Sequence, residues 1–179
     1  MTTQRLLLIS GSLRNGSTNT ALLNTARLVA PAGVEVVVFS GLADLPHFNP
    51  DDDIEPLPPA VAELRRQIAA ADAVVFSTPE YAGALPGSFK NLLDWSVGGG
   101  EIYQKPVAYI NTSGSLTAAA NAHQSLRIVL GYVGAVLLEQ AHIPVPRAAI
   151  GTDGTVTDLE IIEQLRKVLE TLAAALGSD

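Results

Sequence analysis

Five short apolar runs alternate with five helical periods from one end of the chain to the other. Several of the runs, notably Ala73-Val74-Val75-Phe76 and Val107-Ala108-Tyr109-Ile110, are apolar at every position. A strand with no polar alternation is covered on both faces, which is the state of a parallel sheet between helical layers. The pattern predicts strands over 5–10, 34–39, 73–78, 106–111 and 134–140, and helices over 18–30, 58–71, 87–97, 117–132 and 158–176. Strand–helix alternation of this kind predicts a three-layer, doubly wound α/β domain over residues 1–179, with a five-stranded parallel sheet and right-handed crossovers. Helix 18–30 places Leu22, Leu23, Ala26, Val29 and Ala30 on one stripe, and the last helix repeats the spacing with Leu159, Ile162, Leu165, Leu169, Leu172 and Leu176. These are core positions.

In an open parallel sheet, ligands bind beyond the carboxyl ends of the strands, where strand order reverses. That rule singles out the loops 11–18, 79–86 and 112–117. The first, Gly11-Ser12-Leu13-Arg14-Asn15-Gly16-Ser17-Thr18, combines hydroxyls, glycines and one arginine immediately before a helix. Such an order suits a phosphate, because helix N-terminal amides favour an anion and Arg14 adds a fixed cation. Gly11 and Gly16 have Walker spacing, but Ser17 stands where the lysine belongs, and the dinucleotide fingerprint is absent because Ser12-Leu13 follows Gly11. The loop fits a terminal monophosphate better than a triphosphate or pyrophosphate. It also reads as an ordinary strand-to-helix turn capped by Ser17 or Thr18.

The second loop, Thr78-Pro79-Glu80-Tyr81-Ala82-Gly83-Ala84-Leu85-Pro86-Gly87, holds Tyr81 in a turn rigidified by prolines. A flat aromatic beside open amides suits a planar heteroaromatic ring; a structural turn or an oligomer contact is the competing reading. The third, Asn111-Thr112-Ser113-Gly114-Ser115, is again small and hydroxyl-rich.

Composition removes several other chemistries. The net charge is −7, with no basic cluster beyond Arg65-Arg66, which argues against nucleic-acid binding. No apolar run is long enough for a membrane span, and no signal peptide is evident. There is no cysteine, hence no thiolate chemistry and no disulfide, which is compatible with a reducing, cytoplasmic setting. His47, His123 and His142 lack metal-ligand spacing, and Asp51-Asp52-Asp53 reads as a solvated loop, so no metal site is assigned. No Gly-x-Ser-x-Gly elbow follows a strand, which argues against a serine hydrolase.

Taken together, Gly11-Ser12-Leu13-Arg14-x-x-Ser17-x-Asn19, Pro79-Glu80-Tyr81 and Pro86-Gly87-x-x-Lys90-Asn91-x-x-Asp94-Trp95 resemble the NADPH-dependent FMN reductase family, across essentially the whole chain. The resemblance implies a flavodoxin-like fold with strand order 2-1-3-4-5. It implies that Ser12, Arg14, Ser17 and Asn19 hold the FMN phosphate, with Thr18 adding a donor. Pro79, Glu80, Tyr81 and Ala82 line the isoalloxazine edge, with Gly83 beside them, and Ser113 and Gly114 close the other side. Pro86 to Trp95 looks like the family's subunit-interface helix, which implies a homodimer or homotetramer; read from the residues alone, it is an amphipathic helix with an exposed Lys90–Asp94 pair and one anchoring aromatic. Two departures bear on substrate preference. Ala82 stands where many members have asparagine, and Leu116-Thr117-Ala118 stands where a double glycine is common.

The implied activity is ping-pong transfer from NADPH or NADH, through FMN, to a small acceptor such as a flavin, quinone, azo dye or metal oxyanion. Backbone amides near 80–83 would stabilise charge on the reduced ring, and no side chain is assigned as catalytic. Two other readings share the fold: a flavodoxin-like electron carrier, which the acidic charge favours slightly, and a flavin-binding scaffold made inactive by its departures at Ala82 and Leu116.

Overall fold

A computed structural model describes residues 3–115 and 117–177. The strands are β1 (Gln4–Ser10), β2 (Val34–Phe39), β3 (Ala73–Ser77), β4 (Pro106–Asn111) and β5 (Val136–His142). The helices are α1 (Thr18–Leu28), α2 (Pro59–Ala70), α3 (Gly87–Trp95), α4 (Ala120–Tyr132) and α5 (Leu159–Leu176). The strands form one parallel sheet in the order β2-β1-β3-β4-β5. β3 is buried along its whole length, as its unbroken apolar run requires.

Alternate strand residues feed two cores. Leu7, Ile9, Val74, Phe76, Val107 and Tyr109 pack with α2, α3 and α4. Leu6, Leu8, Val36, Val75, Ala108 and Ile110 pack with α1 and α5. The sheet order makes β1 and β3 neighbours, so chain direction across the sheet reverses between them and opens the rim at their carboxyl ends.

Some boundaries differ from expectation for local reasons. β5 begins two residues late because Gly134, at φ +70°, still belongs to the turn after α4. Helix α4 begins at Ala120, because Asn111 Nδ2 and Ser113 Oγ both donate to the Ala118 carbonyl and hold 117–119 in a turn. Helix α1 stops at Leu28, where the Val29 amide is shared between the Thr25 and Ala26 carbonyls ahead of Pro31. Leu159 is 79% exposed at the start of α5, and Ile161 takes the buried place expected of it. Leu116 lies outside the described residues.

The segment 40–57 is bound to α2 and α3 by side chains. Asn91 Oδ1 accepts from the Phe48 amide at 2.7 Å, and Asn91 Nδ2 donates to the Pro46 carbonyl at 2.9 Å. Trp95 Nε1 donates to the same carbonyl at 2.8 Å, and its ring meets Phe48 edge-on at 5.0 Å. Trp95 is therefore fully buried within its own chain, whereas the Lys90–Asp94 pair of that motif faces outward. Arg65, on α2, donates from Nε and Nη2 to the Trp95 carbonyl and from Nη2 to Asp53 Oδ1 at 2.7 Å. A cation there complements the carboxyl end of α3. Asp53 thus leaves the solvated row expected of Asp51-Asp52-Asp53 and becomes half of a largely buried ion pair.

Replacing Asn91 by Ala leaves the Phe48 amide without its acceptor and is expected to cost about 1–3 kcal/mol. Urea unfolding and faster proteolysis within 46–57 measure it. Buried His123 stacks on Tyr109 at 4.9 Å, and burial holds its imidazole below the ordinary histidine range against the attraction of Glu80 and with the repulsion of His142. A proton thus binds the unfolded chain more readily than the folded one. Stability from this group is full above about pH 6.5 and falls as pH drops below that value. Thermal melts should show a smaller loss between pH 7 and 5 for His123→Phe than for the unaltered chain.

Candidate functional site

The three loops singled out above meet on the rim, and their convergence starts with the strand ends. Gly11 leaves β1 with its amide on the Ser77 carbonyl at 2.8 Å. A Cβ at Gly11 would stand 2.3 Å from Thr78 Oγ1 and 2.9 Å from Phe89 Cγ, so only glycine lets the two loops pass this closely. Asn19, buried in the first turn of α1, joins the same strand ends. Its Oδ1 accepts from Ser77 Oγ at 2.8 Å and from Thr112 Oγ1 at 3.1 Å. Thr18 Oγ1 lies 3.3 Å from Thr112 Oγ1. One carboxamide therefore links the loops after β1, β3 and β4.

Between these loops lies a cavity of about 250 Å³ lined by Thr18, Asn19, Pro79, Glu80 and Ser113, five of the residues expected to form the site. Thr78, Asn111, Thr112 and Ala119 complete the lining without having been assigned a role from sequence. Position was the available signal for three of them, because they are polar residues at the carboxyl ends of β3 and β4. Ser12, Arg14 and Ser17 are not part of that lining but precede Thr18 in the loop entering α1; Tyr81, Ala82 and Gly83 do not line it either, and Gly114 faces open space.

The α1 entrance gathers hydrogen-bond donors, which is what an anion requires. Ser17 is the N-cap and accepts from the Thr20 amide through its side chain. The amides of Gly16, Ser17, Thr18 and Asn19 find no acceptor among the described residues. Arg14 is exposed and has no ion-pair partner there. Free N–H groups, a helix dipole and an unpaired guanidinium share one loop.

The second loop forms a tight turn. Tyr81 and Ala84 exchange backbone hydrogen bonds at 3.0 and 3.1 Å across Ala82 (φ 51°) and Gly83 (φ 72°). Two successive positive φ values define a type I′ turn, whose first central position favours asparagine. Ala82 therefore sits where an L-residue is strained, and an asparagine there would be at ease for backbone reasons alone. Tyr81 is 49% exposed, and its ring stacks on no other aromatic among the described residues.

The third loop is ordered from within. Asn111 Oδ1 accepts from the Ser113 amide at 2.9 Å and from Ser113 Oγ at 2.6 Å. His142 Nε2 lies 2.9 Å from the Ser113 carbonyl, so that nitrogen carries the proton. The Ser113 hydroxyl is thereby committed to its own loop. His47 is exposed, and His123 and His142 serve packing and loop order. Among the described residues no group of three His, Asp or Glu side chains is placed to hold a metal ion. No helix there is long and apolar enough to cross a membrane.

Comparison with known proteins places this geometry in a family. Residues 4–150 match the family described as NADPH-dependent FMN reductase. An NAD(P)H-dependent FMN reductase of Pseudomonas aeruginosa is 33% identical over 172 residues, covering 94% of this chain and 92% of its own. A 2-hydroxy-1,4-benzoquinone reductase of a Burkholderia species is 33% identical over 176 residues, covering 93% and 91%. The solved structure of FerB, a flavoenzyme NAD(P)H:(acceptor) oxidoreductase from Paracoccus denitrificans, superposes with a TM-score of 0.83 at 31% identity and covers 97% of each chain. With the family match over most of the chain, these relatives and the sheet order in agreement, the chain belongs to the NADPH-dependent FMN reductase family.

Proposed function

We propose that this chain is an FMN-dependent NAD(P)H oxidoreductase acting on quinone-type acceptors. The observation that carries the reading is the adjacency of a donor-rich loop and an open crevice on one rim: the amides entering α1 and the Arg14 guanidinium, without partners among the described residues, lead into Thr18 and Asn19, which line the 250 Å³ cavity. That donor set fits a monophosphate joined to a ring system. Ser12, Arg14, Ser17 and Thr18 would hold the phosphate. Asn19 would add its Nδ2, since its Oδ1 is already engaged. Pro79, Glu80, Tyr81, Ala82 and Gly83 would border one side of the ring, and the backbone of Ser113 and Gly114 the other.

Bound there, FMN supplies two-electron hydride chemistry that no side chain of the site offers. The residues' work is to bind, orient and leave one face open, so that NAD(P)H and the acceptor use the same crevice in turn. The reading extends to a homodimer or homotetramer in the cytoplasm. Exposed Ile128, Tyr132, Val136 and Leu138 on α4 and the edge strand β5 supply apolar surface for assembly, and the lack of cysteine suits a reducing compartment.

The test is flavin titration followed by oxidation of NADPH with a benzoquinone. The chain should bind FMN and turn over; an absence of flavin binding at micromolar concentration would sink the reading. Arg14→Ala should weaken FMN by about 10-fold or more through loss of a charged hydrogen bond, yet leave riboflavin affinity unchanged. Ala82→Asn is expected to raise stability by about 1 kcal/mol by relieving the I′ turn, read as a higher urea midpoint.

A further inference from the structure

Helix α4 begins without a cap of its own. Its N-cap residue, Ala119, sits at φ 65° and offers no side-chain acceptor, and no acidic residue stands in the first turn. The first amides of a helix need acceptors from elsewhere. They come from Glu80, 41 positions earlier in the chain. Glu80 Oε2 accepts from the Asn121 amide at 2.9 Å and the Ala122 amide at 3.1 Å, and Oε1 accepts from Asn121 Nδ2 at 3.3 Å.

Glu80 and α4 stand on different walls of the same crevice. Pro79 and Glu80 line one side of the 250 Å³ cavity, and Ala119 lines it from the other. Beyond Glu80 the strap has little else to hold it. Tyr81, Ala82, Gly83 and Ala84 are all exposed, and among the described residues the hydrogen bonds there are the two within the turn itself. The next buried residue is Leu85. Among the described residues, the orientation of the Tyr81 turn relative to the start of α4 therefore depends on one carboxylate reaching across the mouth.

We propose that Glu80 is a positioning residue: its side chain clasps the Tyr81 turn to the start of α4 and so fixes the width of the crevice that takes the flavin ring. This rests on the flavin reading above. It assigns the carboxylate to the helix and leaves only the Glu80 backbone to face the ring. An anion suits the place, since a carboxylate at a helix N-terminus is favoured by both the free amides and the dipole.

The experiment compares Glu80→Ala and Glu80→Gln, each in the full chain and in a Tyr81→Ala background, with two readouts. In the flavin-free protein, amide hydrogen exchange at Asn121 and Ala122 should accelerate roughly tenfold in Glu80→Ala. It should return towards the original rate in Glu80→Gln, whose Oε1 can still accept. Riboflavin, which lacks the phosphate, should bind roughly fivefold more weakly to Glu80→Ala and be rescued by Gln. That loss should vanish when Tyr81 is already Ala. Unchanged exchange at both amides overturns the clasp. An equal loss of riboflavin affinity with and without Tyr81 overturns the positioning role. Failure of the unaltered chain to bind FMN overturns the flavin reading and with it the role toward the ring, while the exchange rates still decide the clasp.

Discussion

A single buried carboxamide governs how the working rim is assembled. Asn19 accepts hydroxyl hydrogens from the ends of two other strand segments while sitting in the first turn of α1. Parallel strands place their carboxyl ends side by side, but nothing in the ladder itself sets how the loops beyond them lean. That lean is set here by Asn19, with the close passage of Gly11 against Thr78 allowing the first two loops to approach. An acceptor buried among hydroxyls loses much if any partner is removed, so these contacts act as a unit. The entrance to α1 and the crevice are adjacent because Asn19 belongs to the first and helps to line the second.

The opposite flank is held by a different kind of bond. Along 40–57 there is little regular structure, yet its backbone is held at Pro46 and Phe48 by Asn91 and Trp95, and its Asp53 carboxylate by Arg65. Arg65 deals with the carboxyl end of α3 and the loop's Asp53 in one gesture, and a third charge, Glu101, lies 4.0 Å away. Removing one member of such a cluster would leave a charge stranded away from water, which costs more than the pair contributes. The two flanks together leave the tip of the second loop as the least supported part of the rim.

Much of this could be read along the chain, for physical reasons. Continuous apolar runs identified the strands, because a face covered on both sides admits no polar alternation. Carboxyl-end loops identified the rim, because parallel topology forces ligands there. The limits were equally physical. The start of α4 and β5 depended on side chains reaching back to Ala118 and on a left-handed glycine, neither of which changes hydrophobic period. Leu159 matched the stripe of its helix, but the first residue of a helix can overhang the core. Asn19 and Ser113 were legible as polar residues at the site; that the Asn19 oxygen was already engaged was not, because its partners Ser77 and Thr112 lie far off in sequence. Glu80 is the clearest case, since a cap supplied from 41 residues away has no local pattern at all.

Trp95 is the chain's sole tryptophan, and there is no cysteine anywhere in it. Its indole N–H rests on the Pro46 carbonyl and its ring abuts Phe48, so its surroundings are those of the 40–57 segment. The molecule thus carries one indole fluorophore, separable from its four tyrosines by excitation at the red edge, at one defined seat. Its emission colour tells whether that segment is docked or has lifted into water, in every unlabelled sample. Cysteines introduced elsewhere could be dyed one at a time, with no background thiol to compete.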